Sequence, residues 1–274
     1  PRPRQPKSRD ARWNGSPAAL TAPMHRLTRY MEQELVSIPS GSGKVDGLYY
    51  YSKGSSPDSP AGNTAIIHIH GFLGNFLDGS QRFLPPLLAE SGYSSLAINT
   101  RMANFGLFFG FGIIDDVLPQ IDAAAEYLLH LGFKNIIISG YSLGTCMVLR
   151  YAAERNDPER YPHLKGFISL ATPYSMPESI RRRWNRWDSE PTYDEVYHKA
   201  HLMIERVKLP ILLIQGWHDE VVRPEETHDL VSIALESGNE DVSAFYVNAG
   251  HTFEGSEKEL GEIIVKWLDE RFKA

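Results

Sequence analysis

The spacing of apolar and polar positions predicts where this chain forms strands. Residues 32–38 and 45–51 alternate between apolar and polar side chains, and the Ser-Gly-Ser-Gly segment 40–43 joins them, so we predict an antiparallel pair. Further strands are predicted along the chain, several of them in continuous apolar runs that are typical of strands buried on both faces. These predicted strands are 64–70, 94–99, 135–139, 166–170, 211–215 and 244–247.

Helical patterns separate these strands. The predicted helices are 82–91, 115–131, 143–149, 225–236 and 256–272, and the acidic residues at the start of the second suit its positive end. Because strands and helices alternate after the opening pair, we predict the α/β class, with a mostly parallel twisted sheet and helices on both faces. In such sheets the chemistry gathers at the C-terminal ends of the strands.

The segment 134–150 contains the first candidate for chemistry. Gly140-Tyr141-Ser142-Leu143-Gly144 matches the pattern G-x-S-x-G between a predicted strand and a predicted helix. Such a sharp bend has room only for glycine where the chain approaches itself closely, and it lifts the serine hydroxyl clear of the sheet. The bend also directs the first free N–H groups of the helix toward a developing negative charge. Ser142 is therefore the predicted nucleophile.

A serine hydroxyl needs a base to take its proton, and the base needs a carboxylate to orient it. His251 is the best candidate base, because it follows the last predicted strand in the small-residue loop 248–253. Asp219 is the best candidate acid, because it follows strand 211–215, with Glu220 as the adjacent alternative. The sequence thus places all three side chains at the same edge of the sheet.

The chain order Ser142, Asp219, His251 resembles that of the α/β-hydrolase family, and the likeness spans about residues 32–273. It is carried by the serine turn, the acid loop, the Gly250-His251 pair and the His70-Gly71 turn. This resemblance implies an α/β-hydrolase fold with a small lid insertion.

The resemblance also implies the groups that surround the serine. Backbone N–H groups of Leu143 and Phe72 would hold the oxyanion, and His70 would support the turn that carries Phe72. The lid of the family falls at about 175–206 in this chain. Hydrolases that place a carboxylate at the position of Ser142, such as epoxide and haloalkane hydrolases, are disfavoured.

Two segments rich in aromatic residues are expected to cover the serine. The loop 100–114 contributes Phe105 and Phe108, and the predicted lid contributes Trp184 and Trp187. These four are candidate substrate-binding residues, although the phenylalanines equally suit packing of their loop against the core. An apolar wall favours a small to medium, partly apolar substrate.

The predicted function is therefore that of a serine hydrolase that cleaves a carboxylic ester, lactone or thioester through an acyl-enzyme. The same residues also serve carbon–carbon bond hydrolases and acyltransferases, so these alternatives stay open. A third alternative is a non-catalytic binding protein of the same fold, against which the complete set of three residues argues.

The composition of the chain limits the kinds of ligand and partner that we expect. The chain has 274 residues with a net charge of -6, which disfavours a nucleic-acid partner, and its one cysteine excludes an intrachain disulfide. His68-x-His70 lacks the further ligands of a metal site, and no dinucleotide-binding pattern follows a strand, so neither a metal nor a cofactor is expected. Composition does not indicate an oligomeric state.

The beginning of the chain differs from the remainder. Residues 1–30 carry seven Lys/Arg and one Asp, about +6, which leaves about -12 on the remaining residues. We expect an N-terminal extension over 1–29, loose or wrapped on the surface, and one hydrolase domain over 30–274. No secretory signal or membrane-spanning run is visible, so a cytoplasmic or organelle location is expected, with a processed start as one possibility.

Overall fold

A single sheet of eight strands organises the part of the protein that the computed structural model describes, residues 33–41, 43–52, 62–104, 114–175 and 199–272. These residues belong to one compact unit of the chain, 31–274. The strands are β1 (Gln33–Ser40), β2 (Gly43–Tyr50), β3 (Thr64–Ile69), β4 (Ser94–Asn99), β5 (Asn135–Tyr141), β6 (Leu164–Leu170), β7 (Ile211–Gly216) and β8 (Val242–Val247).

The spatial order of the strands is β1-β2-β4-β3-β5-β6-β7-β8. Strand β2 pairs antiparallel with β1 and β4, and every other neighbouring pair is parallel. The predicted α/β class, with an opening hairpin and a mostly parallel sheet, is confirmed.

Helices cover both faces of this sheet. Their bounds are α1 (Leu84–Glu90), α2 (Leu118–His130), α3 (Leu143–Glu154), α4 (Ala200–Ile204), α5 (Pro224–Glu236) and α6 (Glu257–Phe272). The alternation of side chains along a strand divides the core into two layers: Ile67 and Ile69 pack with α2–α5, whereas Ile66 packs with α1 and α6. Strands that are buried on both faces explain the continuous apolar runs in the sequence.

Two predicted helices begin later than expected, and proline is the reason in both. The segment predicted as helix from residue 115 starts with a 3₁₀ turn at Ile114–Val117, and the α-helix begins at Leu118 with Pro119 in its first turn. Because proline has no N–H and fits the first turn of a helix, it sets the helix start. Likewise a 3₁₀ turn at Gly79–Arg82 precedes α1, which has two prolines near its start.

The acidic residues before α2 form ion pairs instead of occupying its first turn. Asp115 lies 2.9 Å from Arg150 on α3, and Asp116 lies 2.9 Å from Arg101 in the loop after β4. The acids therefore lie at the N-terminal end of the helical segment, as predicted, but in the 3₁₀ turn before α2, because the α-helix itself begins at Leu118. These pairs connect the loop after β4 and α3 to the start of α2.

The predicted N-terminal extension, 1–29, lies outside the described residues. Most of the predicted lid, 175–206, also lies outside them, and both remain predictions. The described end of the lid range forms the short helix α4, which buries Met203 and Ile204 in the layer that contains α3 and α5. Among the helices of the described residues, none has the length and apolar character needed to cross a membrane.

Candidate active site

Ser142 lies at the sharp bend between β5 and α3. Its backbone has a φ of 52° and a ψ of -121°, a strained conformation for a residue with a side chain. A Cβ atom added to Gly144 would lie 2.4 Å from the carbonyl oxygen of Ile69, and one added to Gly140 would lie 2.6 Å from that of Gly144. The two glycines of the motif are thus required by close backbone contact, and α3 begins directly against the end of β3.

The structure brings together the three side chains that the sequence predicts. Ser142 Oγ lies 3.0 Å from His251 Nε2, and His251 Nδ1 lies 2.8 Å from Asp219 Oδ2. Because an ionised carboxylate only accepts hydrogen bonds, Nδ1 carries the proton and Nε2 is left to accept from the serine hydroxyl. This is the arrangement that a general base needs before it removes a proton from a nucleophile.

Asp219 has no solvent-exposed side-chain surface, whereas 16% of the His251 side chain is exposed. Asp219 Oδ1 accepts hydrogen bonds from the backbone N–H groups of Val221 and Val222, both at 2.8 Å. Such donors satisfy a buried carboxylate and fix its rotamer. Glu220, the alternative acid, is exposed to solvent.

The acid and base loops lie directly against each other. A Cβ atom added to Gly216 would lie 2.4 Å from the carbonyl oxygen of Ala249, and the N–H of His218 donates to that same oxygen at 2.9 Å. The N–H of Trp217 donates to Val247 O, also at 2.9 Å. These backbone contacts hold the loop of His251 at a constant distance from the loop of Asp219.

His70 supports the turn that approaches the serine. Its Nδ1 donates to Gly71 O at 2.8 Å, and its Nε2 accepts from the N–H of Thr100 at 3.2 Å. Burial lowers the pKa of His70 to about 4, so the ring is neutral at physiological pH. A Cβ atom added to Gly71 would lie 3.2 Å from Ser142 Cβ, which shows how closely this turn approaches the serine.

The two predicted oxyanion donors lie in segments next to Ser142. Leu143 is the first residue of α3, so its N–H has no acceptor within the helix. Phe72 follows Gly71 in the turn that contacts Ser142. Their proposed role agrees with this placement.

Two residues near the site were missed by sequence reasoning. The ring of Tyr141 lies 5.3 Å from the ring of His251 and packs beside it. Gln215, at the end of β7, donates to Asp219 Oδ2 at 2.9 Å. The sequence did contain a signal for Gln215, namely an amide side chain in an otherwise apolar, buried strand. A buried amide needs hydrogen-bond partners, so its presence indicates a polar contact near the end of β7.

The four predicted substrate-binding residues, Phe105, Phe108, Trp184 and Trp187, lie outside the described residues. His68 lies within β3, and His70 directly follows this strand, which ends at Ile69; both side chains are buried. Among the described residues, no group of three or more His, Cys, Asp or Glu side chains is placed to hold a metal ion.

The fold and this arrangement define the protein as a member of the α/β-hydrolase class. More specifically, residues 110–274, more than half of the chain, match the prolyl oligopeptidase family, so the chain belongs to that family and is a serine hydrolase. The predicted resemblance to α/β-hydrolases is confirmed.

Solved structures with the same fold include two esterases and a peptidase. An esterase of Pyrococcus furiosus has 18% identity and a TM-score of 0.69, with 89% of this chain and 92% of that chain covered. Est1E from Butyrivibrio proteoclasticus has 18% identity and a TM-score of 0.68, with 88% and 99% covered. The acylaminoacyl peptidase of Pyrococcus horikoshii has 18% identity and a TM-score of 0.71, with 90% of this chain but 42% of that chain covered.

Proposed function

We propose that this protein hydrolyses carboxylic esters of small to medium, partly apolar acids through an acyl-enzyme on Ser142. The observation that carries the proposal is the continuous hydrogen-bonded chain from Ser142 Oγ through His251 to Asp219, with distances of 3.0 and 2.8 Å. An ordinary serine turn would not be expected to align with an imidazole that is hydrogen-bonded to a buried carboxylate.

In the proposed reaction, His251 Nε2 removes the proton from Ser142 as Oγ attacks the ester carbonyl carbon. The N–H groups of Leu143 and Phe72 stabilise the oxyanion of the tetrahedral intermediate. The protonated His251 then transfers its proton to the leaving alkoxide, which departs as the alcohol. Water, activated by the same imidazole, attacks the acyl-enzyme, releases the carboxylic acid and regenerates the serine. Throughout, Asp219 holds the Nδ1–H tautomer and stabilises the imidazolium.

The choice of an ester is supported by the length of the structural matches. The two esterase structures match this chain over 92% and 99% of their own lengths, whereas the acylaminoacyl peptidase matches over 42%. Ferulic acid has been bound to Est1E, so aromatic acid esters are reasonable first substrates beside simple aliphatic ones.

The proposal is tested with the variant Ser142→Ala. We expect hydrolysis of p-nitrophenyl butyrate and methyl ferulate to fall by about 10³-fold or more, because the nucleophile is gone. Ser37→Ala, on the exposed side of β1 at the far edge of the sheet, is the matched control and should retain full activity. Near-normal turnover by Ser142→Ala would reject the mechanism.

The family match favours a second candidate, hydrolysis of an amide or peptide bond by the same residues. The two candidates are distinguished with a matched pair of substrates that share one acyl group, such as an N-acylalanine p-nitrophenyl ester and the corresponding p-nitroanilide. An activated ester is intrinsically more reactive than an anilide, so the diagnostic result is cleavage of the anilide itself. The ester proposal predicts no anilide cleavage above the background of Ser142→Ala, whereas anilide cleavage that depends on Ser142 would favour the peptidase.

A further inference from the structure

Gln215 lies on β7 four residues before Asp219, and its side chain faces the acid. The residue is completely buried, and its Nε2 donates to Asp219 Oδ2 at 2.9 Å and to the carbonyl oxygen of Val222 at 3.0 Å. A side-chain amide nitrogen carries two hydrogens, so both acceptors can be satisfied at once. The amide therefore connects the acid to the loop that follows it.

The orientation of this amide is set by its other end. Gln215 Oε1 accepts a hydrogen bond from Thr227 Oγ1 at 3.1 Å, and Thr227 is a buried residue in the first turn of α5. A flipped amide would place Oε1 against a carboxylate oxygen and a carbonyl oxygen, which would repel it. The hydrogen-bond network thus assigns nitrogen toward Asp219 and oxygen toward Thr227.

Gln215 differs from the other donors to Asp219 in its attachment to the fold. Val221 and Val222 belong to the same loop as Asp219, so their hydrogen bonds move with that loop. Gln215 belongs to β7, where it pairs with Tyr246 of β8 inside the sheet. Its bond is therefore the one among these that ties the carboxylate to the rigid sheet.

The oxygen that Gln215 contacts is also the one that the base uses. Asp219 Oδ2 receives both Gln215 Nε2 at 2.9 Å and His251 Nδ1 at 2.8 Å. If the Gln215 donor is lost, Oδ2 has one fewer restraint, and the donors that remain belong to the loop of Asp219 itself and to His251. The carboxylate can then shift together with its loop, and the imidazole is aimed less exactly at Ser142.

We propose that Gln215 is a positioning residue, which aims Asp219 Oδ2 at His251 and is itself oriented by Thr227. This inference rests on the proposed function of Ser142, Asp219 and His251. It predicts that Gln215 affects the rate of the chemical step and leaves substrate binding unchanged.

The first test is Gln215→Met, which removes the amide but keeps a side chain of similar size. With p-nitrophenyl butyrate we expect kcat to fall about 10- to 100-fold while KM changes less than about 2-fold, since misplacement of a catalytic group acts on the reaction step. Unfolding in urea and a fluorophosphonate titration of Ser142 give the folded and active fractions. A kcat per folded molecule equal to that of the unchanged protein would overturn the proposal.

Gln215→Glu supplies a signature that simple packing would not produce. A protonated Glu can donate to Asp219 Oδ2 and so replace the amide, and the proton resides on the new carboxyl because Asp219 retains its backbone and imidazole donors. As the pH rises this proton is lost and the two carboxylates repel. We express the kcat of each variant as a fraction of the kcat of the unchanged protein at the same pH. At low pH this fraction should be larger for Gln215→Glu than for Gln215→Met. For Gln215→Glu it should then decline as the pH rises. A ratio independent of pH would contradict the proposal.

Thr227 gives an independent check that leaves Gln215 and Asp219 intact. Thr227→Val removes the hydroxyl that orients the amide, and we expect kcat to fall about 3- to 10-fold, the equivalent of one neutral hydrogen bond. Thr227→Ser keeps the hydroxyl and should restore most of the rate. Equal rates for the two variants would show that the hydroxyl does not act through Gln215.

A matched control is available in Asn239, another buried amide. Its Nδ2 donates to Val207 O and Leu209 O, both at 3.0 Å, near the start of β7 and away from the site. Asn239→Leu should lower the free energy of unfolding but leave kcat per folded molecule unchanged. If it lowers kcat as much as Gln215→Met does, the effect is general destabilisation and the positioning role is rejected.

Failure of the proposed function is recognised separately. If the unchanged protein cleaves no ester or anilide, the ester proposal fails, but the rate of Ser142 labelling by a fluorophosphonate still reports activation of the serine. Gln215→Met should then lower the labelling rate by the same factor of about 10 to 100. An unchanged labelling rate would overturn the inference about Gln215.

Discussion

The two halves of the candidate site are built by different forces. Around Ser142 the backbone does the positioning: the serine turn lies so close to the end of β3 that a methyl group at Gly144 would lie 2.4 Å from a carbonyl oxygen. Around Asp219 side-chain hydrogen bonds contribute as well, because Asp219 Oδ2 accepts from Gln215 Nε2 at 2.9 Å and from His251 Nδ1 at 2.8 Å. Close backbone contacts hold Ser142, whereas Asp219 and His251 depend on a side-chain hydrogen-bond network in addition to the close backbone contact at Gly216.

Because of this difference, the two halves should respond differently to mutation. A backbone contact allows no adjustment, so a small addition should disturb both the fold and the chemistry. A hydrogen-bond network can be altered with almost no change in volume, so the chemistry should be lost while the fold survives. Mutations in the two halves should therefore separate stability from activity.

The largest expected effect comes from Asp219→Asn, in the hydrogen-bonded half. The amide no longer stabilises the Nδ1–H tautomer or the imidazolium of His251, so we expect kcat for p-nitrophenyl butyrate to fall by about 10⁴-fold. The near-ultraviolet circular dichroism spectrum should stay close to that of the unchanged protein. Glu220→Gln, the exposed neighbour, is the control, and an equal loss there would show that the acid is misassigned.

Gly144→Ala should break the backbone half. The added methyl group would contact the carbonyl oxygens of Ile69 at 2.4 Å and His70 at 2.5 Å, so β3 and α3 must separate. We expect turnover to fall by about 10²-fold or more and the free energy of unfolding to fall by about 1–3 kcal/mol, the range for overpacking.

The matched control for this variant is Gly41→Ala, because a methyl group there meets nothing within 4 Å. Urea unfolding of the two variants should differ by most of the Gly144→Ala effect. A stable and active Gly144→Ala protein would show that steric exclusion does not hold the nucleophile.

The pH dependence of stability sharpens the comparison, because the backbone half contains two buried histidines, His68 on β3 and His70 directly after it. Burial lowers the pKa of His68 to about 3 and that of His70 to about 4, both below the ordinary value of 6.5. Between about pH 6.5 and 4 the unfolded chain therefore binds protons that the folded chain does not. The free energy of unfolding should fall as the pH falls through this window, by up to about 1.4 kcal/mol per pH unit for each histidine.

The variant His68→Phe isolates the contribution of one of these histidines. His68 Nε2 has no hydrogen-bond partner within the described part of the chain, so the substitution removes a titrating group without a known hydrogen bond at that atom. Urea unfolding between pH 4.5 and 7 should show a slope shallower by up to about 1.4 kcal/mol per pH unit. An unchanged slope would assign the acid sensitivity to other groups.

The same contrast explains what the sequence revealed. The serine turn is contiguous, and its glycines are a direct record of the space available, so Ser142 and the strand and helix around it were predictable. The placement of Asp219 and His251 near Ser142 was predictable because each follows a strand that ends at the same edge of the sheet. The helix starts at Leu84 and Leu118 were placed too early, because the periodic pattern does not distinguish a 3₁₀ turn from an α-helix.

The network behind the acid was not predictable in the same way. Gln215 looks like the polar end of a buried strand, and its role depends on Thr227, which is twelve residues later on α5. Whether a glutamine amide meets a carboxylate depends on several side-chain torsions and on the packing of a helix against a strand. The pairing of Asp115 with Arg150 required coordinates for the same reason.

The central claim is that Ser142 is activated by His251, and covalent labelling tests it most directly. The folded protein is incubated with a fluorophosphonate, and the adduct is counted by intact mass and located by peptide mapping. The account predicts one adduct per chain, on Ser142, formed at a rate that falls by about 10³-fold or more in His251→Ala. An absence of labelling in the folded protein, or a labelling rate that His251→Ala leaves unchanged, would contradict it.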